Sequence, residues 1–157
     1  MFELLEDEMV VLKKLENLVL GMNKKMNIIS KGDEGIIWER HIMDSLQVMM
    51  KIKEKFHGAV LDMGSGYGFP VIPLAVVLPD VKFVAVESRA KRVAIINYLK
   101  RELSLTNINV INERVENVES SDAYDYVTSR ALGNIQDDVE RATPFLKKGG
   151  AYLGYNT

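Results

Sequence analysis

The feature that most constrains this chain is a short apolar run that stops on three alternating glycines: Val60-Leu61-Asp62-Met63-Gly64-Ser65-Gly66-Tyr67-Gly68-Phe69-Pro70. An apolar segment such as Ala59 to Met63, broken off by a glycine cluster, marks a buried parallel strand turning into a helix. Glycine is needed where the backbone takes positive φ, or where a ligand must lie against the chain with no Cβ between. At the C-terminal end of the first strand of an open α/β sheet, such a turn lies in the ligand crevice. A purely structural tight turn would use the same glycines. Two acids narrow the choice. Asp62 sits in the strand just ahead of the glycines, and Glu87 ends the next expected strand, 19 residues after Gly68. A carboxylate at that strand end can accept both ribose hydroxyls of an adenosine ligand. The spacing G-x-G-x-G is one residue shorter than the dinucleotide fingerprint G-x-G-x-x-G, whose helix faces a pyrophosphate. Acids around the loop suit a ligand with no phosphate that carries an amino group and a sulfonium, which is S-adenosylmethionine. They leave the methyl acceptor open.

Periodicity around the loop completes an alternating pattern. Leu4, Leu5, Met9, Leu12, Leu15, Leu18, Val19 and Met22 recur at helical spacing, predicting an amphipathic helix over 3–22 that ends near Gly21. A polar, basic turn follows (23–32), and Ser30 or Asp33 is positioned to cap a second helix over about 34–53, with Ile37, Trp38, His41, Ile42, Ser45, Leu46 and Met49 along one side. Beyond the glycine loop the pattern predicts a helix from Pro70 to Leu78, a strand Lys82–Val86, a helix Lys91–Leu105 and a strand Ile108–Ile111. A strand Tyr124–Thr128, a helix over 134–146, a turn at Lys148-Gly149-Gly150 and a fifth strand Ala151–Leu153 complete the expectation. Strands alternating with helices imply a single α/β domain: a doubly wound, mostly parallel Rossmann-like sheet with an α-helical N-terminal extension over 1–55 and the core over 56–157.

Composition excludes several chemistries. With 157 residues, 47% apolar and 27% charged, the chain has the makings of one packed domain. It has no cysteine, so disulfides, thiolate zinc sites and thiol nucleophiles are ruled out, and its having only two histidines, His41 and His57, argues against a histidine metal cluster. No metal is expected. A net charge of −2 argues against coating nucleic acid by bulk charge, while leaving room for a local basic face. Acids early in the N-terminal stretch and the lack of a long apolar run predict neither signal peptide nor membrane span, hence a cytoplasmic protein.

Several segments in order resemble the bacterial small-subunit rRNA guanine-N7 methyltransferases, the glucose-inhibited division protein B family. They are Asn23-Lys24-Lys25-Met26-Asn27-Ile28, then Arg40-His41-Ile42-Met43-Asp44-Ser45, then the glycine loop with its Phe69-Pro70-Val71-Ile72-Pro73 tail. Glu87-Ser88 with Lys91-Arg92-Val93, Arg114-Val115-Glu116 and Thr128-Ser129-Arg130-Ala131 follow. The resemblance implies that Gly64, Gly66 and Gly68 cradle the methionine part of S-adenosylmethionine, that Glu87 holds its ribose, and that Val115 and Glu116 bracket the adenine. It further implies that Asp62, Tyr67, Phe69 and Ser88 bind the cofactor. By the same resemblance Arg130 faces the methyl-transfer site, as both a cofactor and a catalytic residue, and Asn27, Arg40 and His41 act on the substrate side. Plainer readings stand beside these: Arg130 as a surface ion-pair arginine, and His41 as a hydrogen-bonded, partly buried histidine on the face of Ile37 and Ser45.

Small-subunit ribosomal RNA is the partner that the resemblance implies, with Lys24, Lys25, Lys31, Arg40, Arg89, Lys91, Arg92, Lys100 and Arg101 as docking candidates; mixed with acids, they would equally make a solvated surface. The family's sheet normally continues into a C-terminal hairpin for which this chain has no residues. A short form is therefore expected, its fifth strand at an edge, monomeric or paired through that edge. Three alternatives remain: a cofactor- or RNA-binding protein of the same fold without turnover, a nicotinamide-dependent oxidoreductase, which the short glycine spacing disfavours, and methylation of a small molecule or protein by the same core.

Overall fold

The computed structural model describes residues 3–47, 56–119, 121–130 and 133–155. Five strands form one parallel sheet: β1 Ala59–Met63, β2 Lys82–Glu87, β3 Ile108–Asn112, β4 Tyr124–Arg130 and β5 Leu146–Tyr155. Their order across the sheet is β3-β2-β1-β4-β5. The chain thus winds one way from β1 to β3 and then crosses back to β4, so the switch of direction falls between β1 and β4. Ligands of open α/β sheets bind outside the carboxyl ends of the strands at such a switch.

The helices are α1 Glu6–Asn23, α2 Val71–Val77, α3 Ala90–Glu102 and α4 Ile135–Ala142. On one face of the sheet Val60, Phe83, Ala85 and Ile108 pack with residues of α1, α2 and α3 into the larger core. On the other, Leu61, Met63, Val86 and Val127 meet Ala142 and Phe145. Alternation along β1 sends Val60 to one core and Leu61 and Met63 toward the other, as the two-residue period of a strand requires. α1 buries Leu12, Leu15 and Val19, and each such side chain contributes about 1.5–3 kcal/mol. The same stripe continues to Asn23, whose buried side chain ties down the next turn: Oδ1 accepts from the Ile28 and Ile29 amides, and Nδ2 donates to Glu34 at 2.7 Å.

Three expectations change. The helix expected over 34–53 is a 3-10 segment, Lys31–Ile36, followed by a π-helical segment, Trp38–Met43; its end, with Met49, lies outside the described residues. A π-helix needs one more residue per turn than an α-helix and is common at functional sites. Asp33, expected as a cap, lies inside the 3-10 segment, and Ser30 occupies the cap position without a side-chain capping hydrogen bond. Residues 148–150, expected as a turn, belong to β5, which runs to Tyr155 and makes the strand much longer than Ala151–Leu153. Gly149 takes φ +84°, and the register of β4 against β5 shifts between Tyr124 and Tyr126, so the turn-like glycines mark an irregularity within the strand.

Candidate cofactor and substrate site

The glycine loop leaves β1 at the switch point. Gly64, Gly66 and Gly68 all have positive φ, at 64°, 59° and 106°. At Gly68 the requirement is steric as well: a Cβ would lie 2.4 Å from Ile72 Cδ1. At Gly66 a Cβ would meet nothing within 4 Å, so its surroundings are open. The loop is fastened to the next strand by Glu87, which is almost fully buried. Its Oε1 accepts the Gly66 N–H at 2.9 Å and its Oε2 the Arg89 N–H at 2.8 Å. Each carboxylate oxygen keeps a second lone pair for a further donor. Arg92 approaches to 4.0 Å and also stacks over the Tyr67 ring.

Under the loop lies Asp62, fully covered by protein. Its Oδ1 accepts the Thr128 hydroxyl at 2.6 Å, while Oδ2 is buried with no partner. Burial pushes the Asp62 carboxyl up to about 7, against the hydrogen bonds from Thr128 and Ser65 and the charge of Arg130. An unpartnered buried carboxylate oxygen is costly and calls for a donor. A ligand bearing an ammonium or amino group supplies one.

Two hollows flank the loop. One, of about 190 Å³, is lined by Gly64, Val86, Ser88, Glu113, Arg114, Val115, Glu116 and Arg141. The other, of about 270 Å³, is lined by Ile28, Ile29, His41, Gly64, Ser65, Gly66, Tyr67, Phe69, Arg92 and Arg130. Gly64 lines both, so the two adjoin along the strand ends. Val115 and Glu116 sit in a 3-10 turn after β3, and Arg141 bridges Glu116 at 3.3 Å and Asp138 at 3.1 Å. The crevice therefore gathers Gly64, Gly66, Tyr67, Phe69, Ser88, Val115, Glu116 and Arg130, with Asp62, Gly68 and Glu87 supporting it from beneath.

A third cavity, of about 520 Å³, lies on the other side of His41 and Arg130, which line it together with Ser30, Asp33, Glu39, Arg40 and Asp44. Arg130, at the end of β4, is ion-paired with Asp44 of the N-terminal extension and has its Nε buried without a partner. Asp44 is a site residue that sequence reasoning left without a role; it stood within the quoted Arg-His segment. Tyr155 strengthens the same junction by donating to the Ser45 carbonyl at 2.8 Å, and burial pushes its hydroxyl pKa well above the usual value. His41 is partly buried: its Nε2 lies 3.1 Å from Asp33 Oδ2, and its ring packs 5.7 Å from Phe69. It is thus both the hydrogen-bonded histidine of the plain reading and a wall of two cavities. Arg40 reaches Asp33 at 3.2 Å and is otherwise exposed. Asn27 lies on the exposed turn whose next two residues line the crevice; buried Asn23 holds that turn, a role the helical period of α1 could have revealed.

The basic candidates divide. Lys24, Lys25, Lys31, Arg89, Lys91 and Arg101 are exposed, Arg92 is on the crevice rim, and Lys100 donates to the Ile108 carbonyl. Ala131 of the fourth-strand motif lies outside the described residues. Among the described residues no helix is long and apolar enough to cross a membrane.

The sequence model of the GidB family, described as rRNA small subunit methyltransferase G, matches residues 9–157. The chain is 44% identical over 117 residues to ribosomal RNA small subunit methyltransferase G of Helicobacter pylori, covering 74% of this chain and 65% of that protein. It is 37% identical over 139 residues to the protein of the same name from Sorangium cellulosum, covering 86% of this chain and 58% of the relative. The chain thus spans roughly three fifths of the length of such relatives. Among solved structures, it resembles a SAM-dependent methyltransferase from Geobacter sulfurreducens in complex with S-adenosyl-L-homocysteine (TM-score 0.58, 19% identity, 71% of this chain and 47% of that one). It also resembles coclaurine N-methyltransferase bound to N-methylheliamine and SAH (TM-score 0.61, 20% identity, 71% and 34%). At these identities the likeness is one of fold.

Proposed function

Because the chain belongs to the GidB family, we propose that it binds S-adenosylmethionine in the crevice at the β1/β4 switch and methylates N7 of a guanine in small-subunit ribosomal RNA. The observation that carries the reading is the buried, unpartnered Asp62 Oδ2 beneath a glycine loop whose crevice shares His41 and Arg130 with a second cavity. The residues fit the cofactor. Gly64, Gly66 and Tyr67 would lie along its methionine part with Asp62 below its amino group. Glu87 and Ser88 would face the ribose, and Val115 and Glu116 the adenine.

The bound cofactor would supply an electrophilic methyl group on a sulfonium. Guanine N7 presents an in-plane lone pair and carries no proton, so no residue needs to act as base. What remains for the chain is alignment and exclusion of water. Phe69 and His41 close the crevice wall between the two cavities. Arg130 stands where positive charge develops on the product, a poor place for a free cation, and Asp44 neutralises it. Held this way, Arg130 can order the junction without repelling the methylated base. The ribosomal small subunit, a cytoplasmic particle, would meet the exposed lysines and arginines around 24–40 and 89–92.

Methyl transfer to bare small-subunit RNA and to intact subunits, with nucleotide-resolution mapping of the mark and calorimetry of S-adenosylmethionine binding, tests the reading. A single guanine-N7 mark is expected. Cofactor binding with no transfer to either acceptor would leave a binding protein, and thermal stabilisation by NAD in place of S-adenosylmethionine would overturn the cofactor assignment.

A further inference from the structure

We propose that the 520 Å³ cavity between the N-terminal extension and the end of β4 is a purine pocket in which Asp33 selects guanine by accepting its N1–H and N2–H₂ donors. The proposal rests on the guanine-N7 reading above and adds the residue that chooses the base. The cavity has the size of a small-molecule site and room for a base with its sugar.

Of its three carboxylates, Asp33 is the one with a fixing partner on each oxygen. Asp44 is committed to Arg130. Glu39 is exposed at the rim, where ordering it would cost side-chain entropy. Asp33 is mostly covered and held from two sides, with Oδ1 accepting from Arg40 Nη1 at 3.2 Å and Oδ2 facing His41 Nε2 at 3.1 Å. Burial works against its ionisation, but the His41 hydrogen bond and the Arg40 charge prevail and keep its pKa below the usual carboxylate range. Each oxygen retains a lone pair, so two parallel N–H···O bonds to one base edge are available.

Guanine offers two adjacent donors on that edge. Adenine offers one donor beside the N1 lone pair, which a carboxylate repels, and hypoxanthine lacks the N2 amino group. The N1/N2 edge of guanine lies across the ring from N7. A base seated against Asp33 therefore turns its imidazole edge away from that carboxylate into the cavity, whose lining residues His41 and Arg130 also line the cofactor crevice. As N7 forms its bond to the methyl carbon, the carbon–sulfur pair leaves with sulfur and no proton departs. The ring becomes cationic and N1–H more acidic, so its bond to Asp33 strengthens as transfer proceeds. An interaction that grows along the reaction raises the rate as well as the affinity.

The test uses guanosine, inosine and adenosine 5′-monophosphates as probes, titrated by NMR into the protein saturated with S-adenosylhomocysteine, beside methyl transfer to small-subunit RNA. Wild type should prefer GMP over AMP by about tenfold or more, with IMP between, as two charge-assisted bonds allow. Asp33→Asn, with Asp33→Ala as a second variant and melting curves as the folding control, should compress the three affinities to within about twofold and lower kcat/KM for RNA by about a hundredfold. S-adenosylmethionine affinity should stay within about twofold of wild type, since Asp33 lines only the substrate-side cavity. Equal binding of the three nucleotides by wild type, or a GMP preference that survives both substitutions, overturns the proposal. A GMP preference that depends on Asp33 in a protein that transfers no methyl group upholds the pocket and refutes the methyl-transfer reading. Transfer at the wild-type rate by Asp33→Asn refutes the pocket and leaves that reading standing.

Discussion

The floor of the crevice and the wall supplied by the N-terminal extension are built from different materials. The floor is backbone and core: the glycine loop, Asp62 under it and Glu87 clamping it, all at the ends of parallel strands whose register is fixed on both sides. The wall is charge on irregular helical turns: Asp33 between Arg40 and His41, and Asp44 against Arg130. A floor of this kind is preorganised by the fold itself, whereas the wall is set by ion pairs that a polar or charged ligand would compete with. Changes in the floor should therefore move stability and cofactor affinity together, and changes in the wall should move substrate handling with little cost to the fold.

The largest effect that separates the two concerns Asp62. Its folded pKa, about 7, lies above the ordinary value of 3.8, so the protonated form is the one the fold favours. Relative to Asp62→Asn, wild-type stability should be fully present below about pH 4 and decline as pH rises through 7. The loss amounts to as much as about 4 kcal/mol across the window, at 1.36 kcal/mol per pKa unit. Denaturant melts of both proteins from pH 4 to 8 read it, and parallel curves would show Asp62 to be ionised in the apo fold. Next is Gly68→Ala, whose Cβ would strike Ile72 at φ +106°; a loss of about 2–4 kcal/mol with abolished cofactor binding is expected. Gly66→Ala, with open space around its Cβ, should cost only about 1 kcal/mol of backbone strain. A Gly66 variant as unstable as the Gly68 variant would break the distinction between loop packing and ligand access.

Glu87→Gln should weaken S-adenosylmethionine by about 10- to 100-fold in calorimetry, through weaker bonds to the Gly66 amide and the ribose. On the wall, Asp44→Ala strands a mostly buried guanidinium. An expected loss of about 1–2 kcal/mol, discounted for partial exposure, should come with a fall in transfer rate larger than any fall in cofactor affinity. The smallest effect is Arg40→Ala, whose exposed pair with Asp33 is worth under about 1 kcal/mol in a melt. If that change unfolds the extension, the wall is structural in the same sense as the floor.

Much of the floor was legible because it depends on neighbours in sequence. Glycines at alternate positions after an apolar run, and an acid at the end of the next strand, specify a strand-turn-helix unit and a carboxylate beside it. Asp33 reads as a candidate cap and Asp44 has no role of its own in the sequence, because their partners, His41, Arg40 and Arg130, are chosen only when the extension folds against β4. Lys148-Gly149-Gly150 combines both influences: local propensity favours a turn, and these residues form the irregular stretch of β5 between its pairs Leu146–Tyr124 and Ala151–Tyr126.

What the sequence by itself determined is the alternation of strands and helices, the positive-φ loop and the acids that flank it, since each follows from periodicity or from a glycine's missing Cβ. What only the tertiary structure decided is the strand order that puts the switch beside Gly64 and Arg130, the orphaned oxygen of Asp62, and the second cavity behind His41. Those depend on contacts between residues up to 110 positions apart, such as Tyr155 on Ser45. Their geometry is set when the sheet closes over its core, not by local preference.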